Sequence, residues 1–341
     1  MKKAFLICVI GLLVIWNASL LFSQPLSDSE ITWVNEKDEK DDCGKAALNL
    51  LQKEDFDGLE KYLRESQDLK IKHNDGIWRL NSCLIGFGPD WVPSDPQWSQ
   101  LIPILEKWEK TKPESIFPKI AIGEFYIAYA WKARGTGWAN SVTDEGRRLM
   151  RERLERASQT LMSAKELKEK SPGLFPTIGR LFLGIGMSKE EREKLYLSAI
   201  ELEPDYPQFY LGMAYHLLPR WYGKEGEWEN FAEDVYKNSP LGKEMYARII
   251  WSFVSGGIYK NIFKESRADW QKTLEGLREW EKRFPKTESV KSITAFLAGQ
   301  ASDIPVQISS YEKIGKTVDL AIWRDKDRFL KAREWAIKNA R

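Results

Sequence analysis

Histidine and cysteine are scarce in this chain. Its 341 residues include two histidines, His73 and His216, and three cysteines, Cys8, Cys43 and Cys83. With so few imidazole and thiolate donors, and none at zinc-type spacing, the sequence offers no transition-metal site. Neither histidine is accompanied by a serine elbow or a cysteine motif, so no nucleophilic triad and no catalytic residue can be named. A surplus of charge is also missing. Lys and Arg number 52 against 50 Asp and Glu, and Lys2 and Lys3 account for the whole difference. A neutral body argues against nucleic acid, or an anionic membrane surface, as the main partner. There is no run of alternating β-branched residues between hairpin turns, which excludes a sheet-based fold. Gly184-x-Gly186 and Gly256-Gly257 lack a preceding strand and a following Lys-Ser/Thr. They are turn glycines and not phosphate loops, and no cofactor is implied.

What is present begins with an export signature. Met1-Lys2-Lys3 precedes an uncharged apolar run that ends near Phe22. A basic head on such a run is a secretory signal or a signal anchor, here residues 1–23, and it sends the body out of the cytoplasm. The expected location is periplasmic or envelope-anchored, with membrane contact only through this segment if it is not cleaved. Residues 24–43 are polar and mostly acidic, and read as a solvated tether. Residues 44–341 then form a single helical, repeat-like domain. Cys43 and Cys83 are candidates for a disulfide in an oxidising compartment, two ordinary buried thiols being the alternative.

Helical periodicity runs through this body. Met150, Leu154, Ala157, Leu161 and Ala164 step by four and three, with Arg, Glu and Lys on the other face. Trp98, Ile102, Leu105 and Trp108 follow Ser94-Asp95-Pro96, a capping residue with proline in the first turn. Trp270, Leu274, Leu277, Trp280 and Phe284 make a third stripe, stopped by Pro285. Tryptophan pairs at helical spacing (98/108, 270/280, 323/335) read as core. Pro172 and Pro204 recur at about the 34-residue period of tetratricopeptide repeats, and Tyr206, Tyr210, Leu211, Ala214 and Tyr215 suit the first helix of such a repeat. The expected fold is all-α, with stacked helical hairpins forming a divergent, tetratricopeptide-like α-α superhelix.

Two segments stand apart. Ala130-Trp131-Lys132-Ala133-Arg134-Gly135-Thr136-Gly137-Trp138 closes a helix that carries Tyr126. Leu217-Leu218-Pro219-Arg220-Trp221-Tyr222-Gly223 makes a turn that leads toward Trp228. From about Trp91 to about Gly257, these segments and the long helix between them resemble a bacterial family of uncharacterised proteins, domain of unknown function 4034. In that family the second turn reads Trp-Gly-Gly, so Tyr222 here stands in a glycine's place. The resemblance implies a helical, repeat-like fold and supplies no activity.

Read for function, Tyr126, Trp131, Arg134, Trp138, Arg220, Trp221 and Trp228 converge on one groove. Arginine beside indole rings is the composition of a binding hot spot. The bland alternative makes them conformational devices: glycine turns, an arginine capping carbonyls, indoles packing a hairpin. The expected function is a non-enzymatic helical scaffold that binds a peptide or protein partner along a concave face. The competing expectation is an envelope glycan hydrolase with Trp platforms and a carboxylate pair, drawn from acids such as Glu124, Asp205 and Glu227.

Overall fold

The computed structural model describes residues 28–88, 95–135, 137 and 141–340. The apolar run 1–23 and Trp138 therefore lie outside the described residues. Where the sequence implies a tether, the chain is already structured from residue 28 onward. After a 3-10 turn at Asp28–Glu30, strand β1 (Thr32–Val34) is followed at once by helix α1 (Glu36–Gln52). The Asn35 side chain accepts from the Lys37 N–H, and Glu36, Asp38 and Glu39 occupy the first turn. Acidic residues there oppose the positive end of the helix dipole, so the same composition that suggests a solvated tether builds a helix start.

The helices follow in close succession. After α2 (Phe56–Asp68) and α3 (Arg79–Ile85) come α4 (Asp95–Thr111), α5 (Phe117–Arg134) and α6 (Asp144–Ala164). The middle of the chain holds α7 (Leu174–Ile185), α8 (Lys189–Leu202), α9 (Pro207–His216), α10 (Glu227–Asn238) and α11 (Gly242–Ser255). A single turn, α12 (Ile262–Glu265), leads to α13 (Trp270–Arg283), α14 (Glu288–Ala301) and α15 (Ile304–Ile314). Strand β2 (Thr317–Asp319), the turn α16 (Leu320–Trp323) and α17 (Lys326–Asn339) complete the chain. The fold is all-α. Helices α5, α7, α9, α11 and α13 touch one another in turn, while the helices between them pack alongside.

The two ends of the chain meet. Strand β1 pairs in parallel with β2, Thr32 opposite Thr317 and Val34 opposite Asp319. The Glu36 carboxylate accepts from the Thr287 hydroxyl, 251 residues away, at 2.8 Å, and from the Glu288 N–H at 2.7 Å. It thus serves the unpaired donors at the start of α14.

Two hydrophobic cores result. The first runs from Cys43 to Leu181 and includes Trp98, Trp108 and Phe125. The second gathers Ala199 to Ala336 and takes in Ile31 and Trp78. Trp98, Trp108, Trp280 and Trp323 are buried as their spacing suggests, whereas Trp335 is 49% exposed. Phe175, on α7, packs against both cores, so the seam between them runs past α7 and α8.

Candidate functional site

Part of the sequence-derived cluster comes together and part does not. Trp131, at the end of α5, meets Trp221 edge to face with ring centroids 5.9 Å apart, and Trp221 also packs on Tyr215 at 5.8 Å. The end of α5 and the turn after α9 are therefore neighbours. Arg134 lies 5.6 Å from the Trp131 ring and donates to the carbonyls of Gly135 and Gly137 at 3.2 and 3.0 Å. Arg220 is exposed and makes no hydrogen bond or ion pair among the described residues.

Two members of the expected groove lie elsewhere. Tyr126 sits five residues before Trp131, roughly 140° around the same helix. It packs edge to face on Phe125, and burial raises its phenol pKa, with Arg156 opposing. Trp228 is 1% exposed within the second core, where its indole N–H donates to the Tyr259 hydroxyl at 2.9 Å and its ring meets Phe253. A buried, satisfied indole contributes to packing and not to a groove. The Tyr222 hydroxyl donates to the Leu183 carbonyl at 3.0 Å and so ties the α9–α10 turn to α7.

Beside this aromatic pair lies a cavity that the sequence did not announce. It measures about 470 Å³ and occupies the seam between the two cores, bounded by α7, α8 and α9 with the end of α3. Tyr215 belongs both to its wall and to the Trp221 contact. Ile85, Phe175, Leu183, Met187, Leu195 and Met213 make the lining mostly apolar. The volume falls within the range of small-molecule sites, which favour such seams.

The glycines around it explain how the space stays open. Gly123 in α5 is excused by packing, because a Cβ there would come within 2.5 Å of Leu161. In α13, a Cβ on Gly276 would collide with the Lys243 carbonyl. Gly179 in α7 and Gly212 in α9 have no such excuse. A Cβ on Gly212 would meet nothing within 4 Å, and one on Gly179 only the His216 ring at 3.7 Å. Each mid-helix glycine costs about 0.5–1 kcal/mol relative to alanine, and here that cost secures no close approach.

Polar groups at the wall lack partners. His216 is 5% exposed, and its Nδ1 faces the Gly212 carbonyl at 3.1 Å. That nitrogen can only donate, which leaves Nε2 of the neutral ring as an acceptor, buried and without a hydrogen bond. Burial pushes the imidazole pKa down to about 4; the Gly212 and Gly179 carbonyls act against the shift and the Arg192 charge reinforces it. Arg192, on α8, is 6% exposed, its Nε is buried without a partner, and its side chain makes no hydrogen bond or ion pair among the described residues. Arg180, also on the wall, is neutralised by Glu124, which Thr177 holds as well. Of the residues in α8, only Arg192 and Ala199 are buried, so this helix covers the cavity with few apolar anchors of its own.

Other constellations are already satisfied. In a second depression, of about 660 Å³ and lined by Pro204, Asp205, Lys282 and Arg283, Asp205 and Arg283 are paired with each other. Asp205 binds Lys72 and Arg283; burial would raise its carboxyl pKa, but the two cations hold it below the ordinary value. Glu227 accepts from the Lys224 N–H at 2.8 Å. The three acids considered for glycan hydrolysis thus each have a separate structural partner. His73 stands between Glu39 at 3.3 Å and the Ser82 hydroxyl at 3.0 Å, in the order of a hydrolytic triad. Ser82 is buried inside α3, however, and neither residue lines the cavities just described. The arrangement satisfies a buried imidazole. Cys43 and Cys83 lie face to face as free thiols with their sulfurs 2.9 Å apart. Among the described residues, no group of three or more His, Cys, Asp or Glu is placed to hold a metal, and no helix is long and apolar enough to cross a membrane.

Comparison with known proteins adds no relative: no family model, no curated protein and no solved structure matches the chain.

Proposed function

We propose that this chain is a non-enzymatic, exported binding protein, built on a divergent stack of helical hairpins, that holds a small apolar ligand in the seam cavity. The observation that carries the reading is the hollow itself, bordered by Gly179 and Gly212 where a methyl side chain would fit. A packed core fills such space, because voids forfeit dispersion contacts. Unpartnered polar groups on an apolar wall are the usual means of orienting a bound molecule. The small-molecule site takes the place of a peptide groove because Tyr126 and Trp228, two of the groove's expected anchors, point into other surroundings. Trp131 and Trp221 lie beside the cavity, joined to its wall through Tyr215. Export is supported by the Lys2-Lys3 head and the apolar run that follows.

The test is saturable binding of a neutral apolar dye, N-phenyl-1-naphthylamine, followed by fluorescence. One site per chain is expected, and Gly212→Phe should abolish it while circular dichroism stays unchanged. Absence of saturable binding, or equal binding by Gly212→Phe, contradicts the reading.

A further inference from the structure

Resting on that reading, we propose that the ligand is a single-chain aliphatic carboxylate, its head on Arg192 and its chain in the hollow lined by Ile85, Leu183 and Met187. Arg192 is the deciding residue. It lies 94% out of solvent on an apolar wall, and no carboxylate or carbonyl accepts from its side chain among the described residues. Burying a guanidinium alone is strongly unfavourable, so a chain that keeps one there gains when an anion arrives.

Charge balance narrows the class. The wall carries two arginines, and Glu124 already neutralises Arg180. His216 adds no charge, since its ring is neutral and donates from Nδ1 to the Gly212 carbonyl. One positive charge is left over, which a carboxylate cancels and a phosphate dianion would exceed. The planar fork of a guanidinium also matches a carboxylate in two parallel hydrogen bonds. The remaining lining is mostly apolar, with aromatic rings such as Phe175 and Phe209 beside the aliphatic side chains, and it contains Met187 and Met213, whose unbranched side chains adapt to a flexible chain. Helix α8 brings Arg192 in from a sequence of Lys and Glu residues and starts at a capping box of Ser188 and Glu191, so the head-group contact sits within a turn of a firmly fixed helix start.

The experiment is calorimetric titration of the full chain with dodecanoate, dodecanol and dodecyltrimethylammonium, each below its aggregation limit. Dodecanoate should bind one to one, on the order of tenfold or more tighter than dodecanol, as expected of hydrogen bonds to a charged group. The ammonium compound should bind more weakly than both. In Arg192→Leu the acid and the alcohol should become equal; Arg192→Gln serves the same purpose should the leucine variant fail to fold. Equal affinity for acid and alcohol in the unaltered chain, or a preference that survives both substitutions, overturns the proposal. Binding of N-phenyl-1-naphthylamine without binding of dodecanoate rejects this ligand class and leaves the cavity reading standing. Loss of both rejects the cavity reading as well.

Discussion

Two buried arginines, about as deeply enclosed as each other, stand in opposite circumstances. Arg248 on α11 is 2% exposed; its Nε donates to Glu244 at 2.7 Å and its Nη2 to the Asp75 carbonyl at 2.6 Å. Its guanidinium lies 3.9 Å from the Trp280 ring, whose indole N–H reaches the same carbonyl at 2.8 Å. Arg283 adds a second bond to Glu244 at 3.2 Å. One nitrogen, Nη1, is left without a partner. Arg192 on α8 has none of these contacts. A buried cation that arrives with its acceptors acts as a strut, here fastening the Asp75 turn to the second core. A buried cation without them adjoins empty, apolar space.

The largest effect should follow from breaking the strut. Arg248→Met leaves Glu244 buried beside fewer donors, and urea unfolding should show a loss of about 3–5 kcal/mol. A loss below about 1 kcal/mol would place Arg248 in the same class as Arg192 and dissolve the contrast. Next in size is the first core's thiol pair. Oxidising Cys43 and Cys83 closes a loop of about 40 residues, which in the chain-entropy model adds roughly 3–4 kcal/mol. Intact mass, with and without reductant, should show the loss of two hydrogens after exposure to oxidised glutathione, and Cys83→Ala should abolish the gain in stability.

The pH response sharpens the comparison at the cavity itself. The folded pKa of His216 is pushed below its ordinary 6.5 to about 4. Its stabilising contribution is therefore complete above about pH 6.5, where the unfolded chain is neutral too, and is lost as pH falls toward 4. A shift of that size corresponds to roughly 3 kcal/mol. Unfolding curves between pH 7 and pH 4 should be flatter for His216→Gln. In Arg192→Leu, which removes a neighbouring charge, the window should narrow. The smallest effects concern glycine. Gly276→Ala should lose about 1–3 kcal/mol by forcing α13 away from the Lys243 carbonyl. Gly212→Ala, with open space before it, should gain about 0.5–1 kcal/mol from helix propensity. Equal signs for the two would mean that the hollow is not there.

The helices were legible because their apolar residues recur at 3.6-residue spacing, and Asp144–Ala164 and Trp270–Arg283 follow those stripes closely. The helix at Glu36 was not, since an acidic run looks alike in a tether and in a first turn. The approach of Trp131 to Trp221 could be anticipated from two odd turns. Separating Tyr126 from Trp131 needs only the helical angle between them, while the burial of Trp228 depends on Phe253 and Tyr259. Arg192 was hidden by its surroundings: within Lys189-Glu190-Glu191-Arg192-Glu193-Lys194 it reads as one more solvated charge. The available signal was weak, an isolated glycine inside each of two helical stretches, at 179 and 212.

The most direct test is a four-way unfolding comparison: the unaltered chain and Arg192→Leu, each with and without dodecanoate. Without ligand, Arg192→Leu should be as stable as the unaltered chain or more so, because a buried unpaired charge has been replaced by an apolar side chain. With ligand, only the unaltered chain should gain substantially, by the linkage between binding and unfolding. The contradicting result is an Arg192→Leu protein that is several kcal/mol less stable without ligand and gains as much as the unaltered chain with it; Arg192 would then be a strut like Arg248.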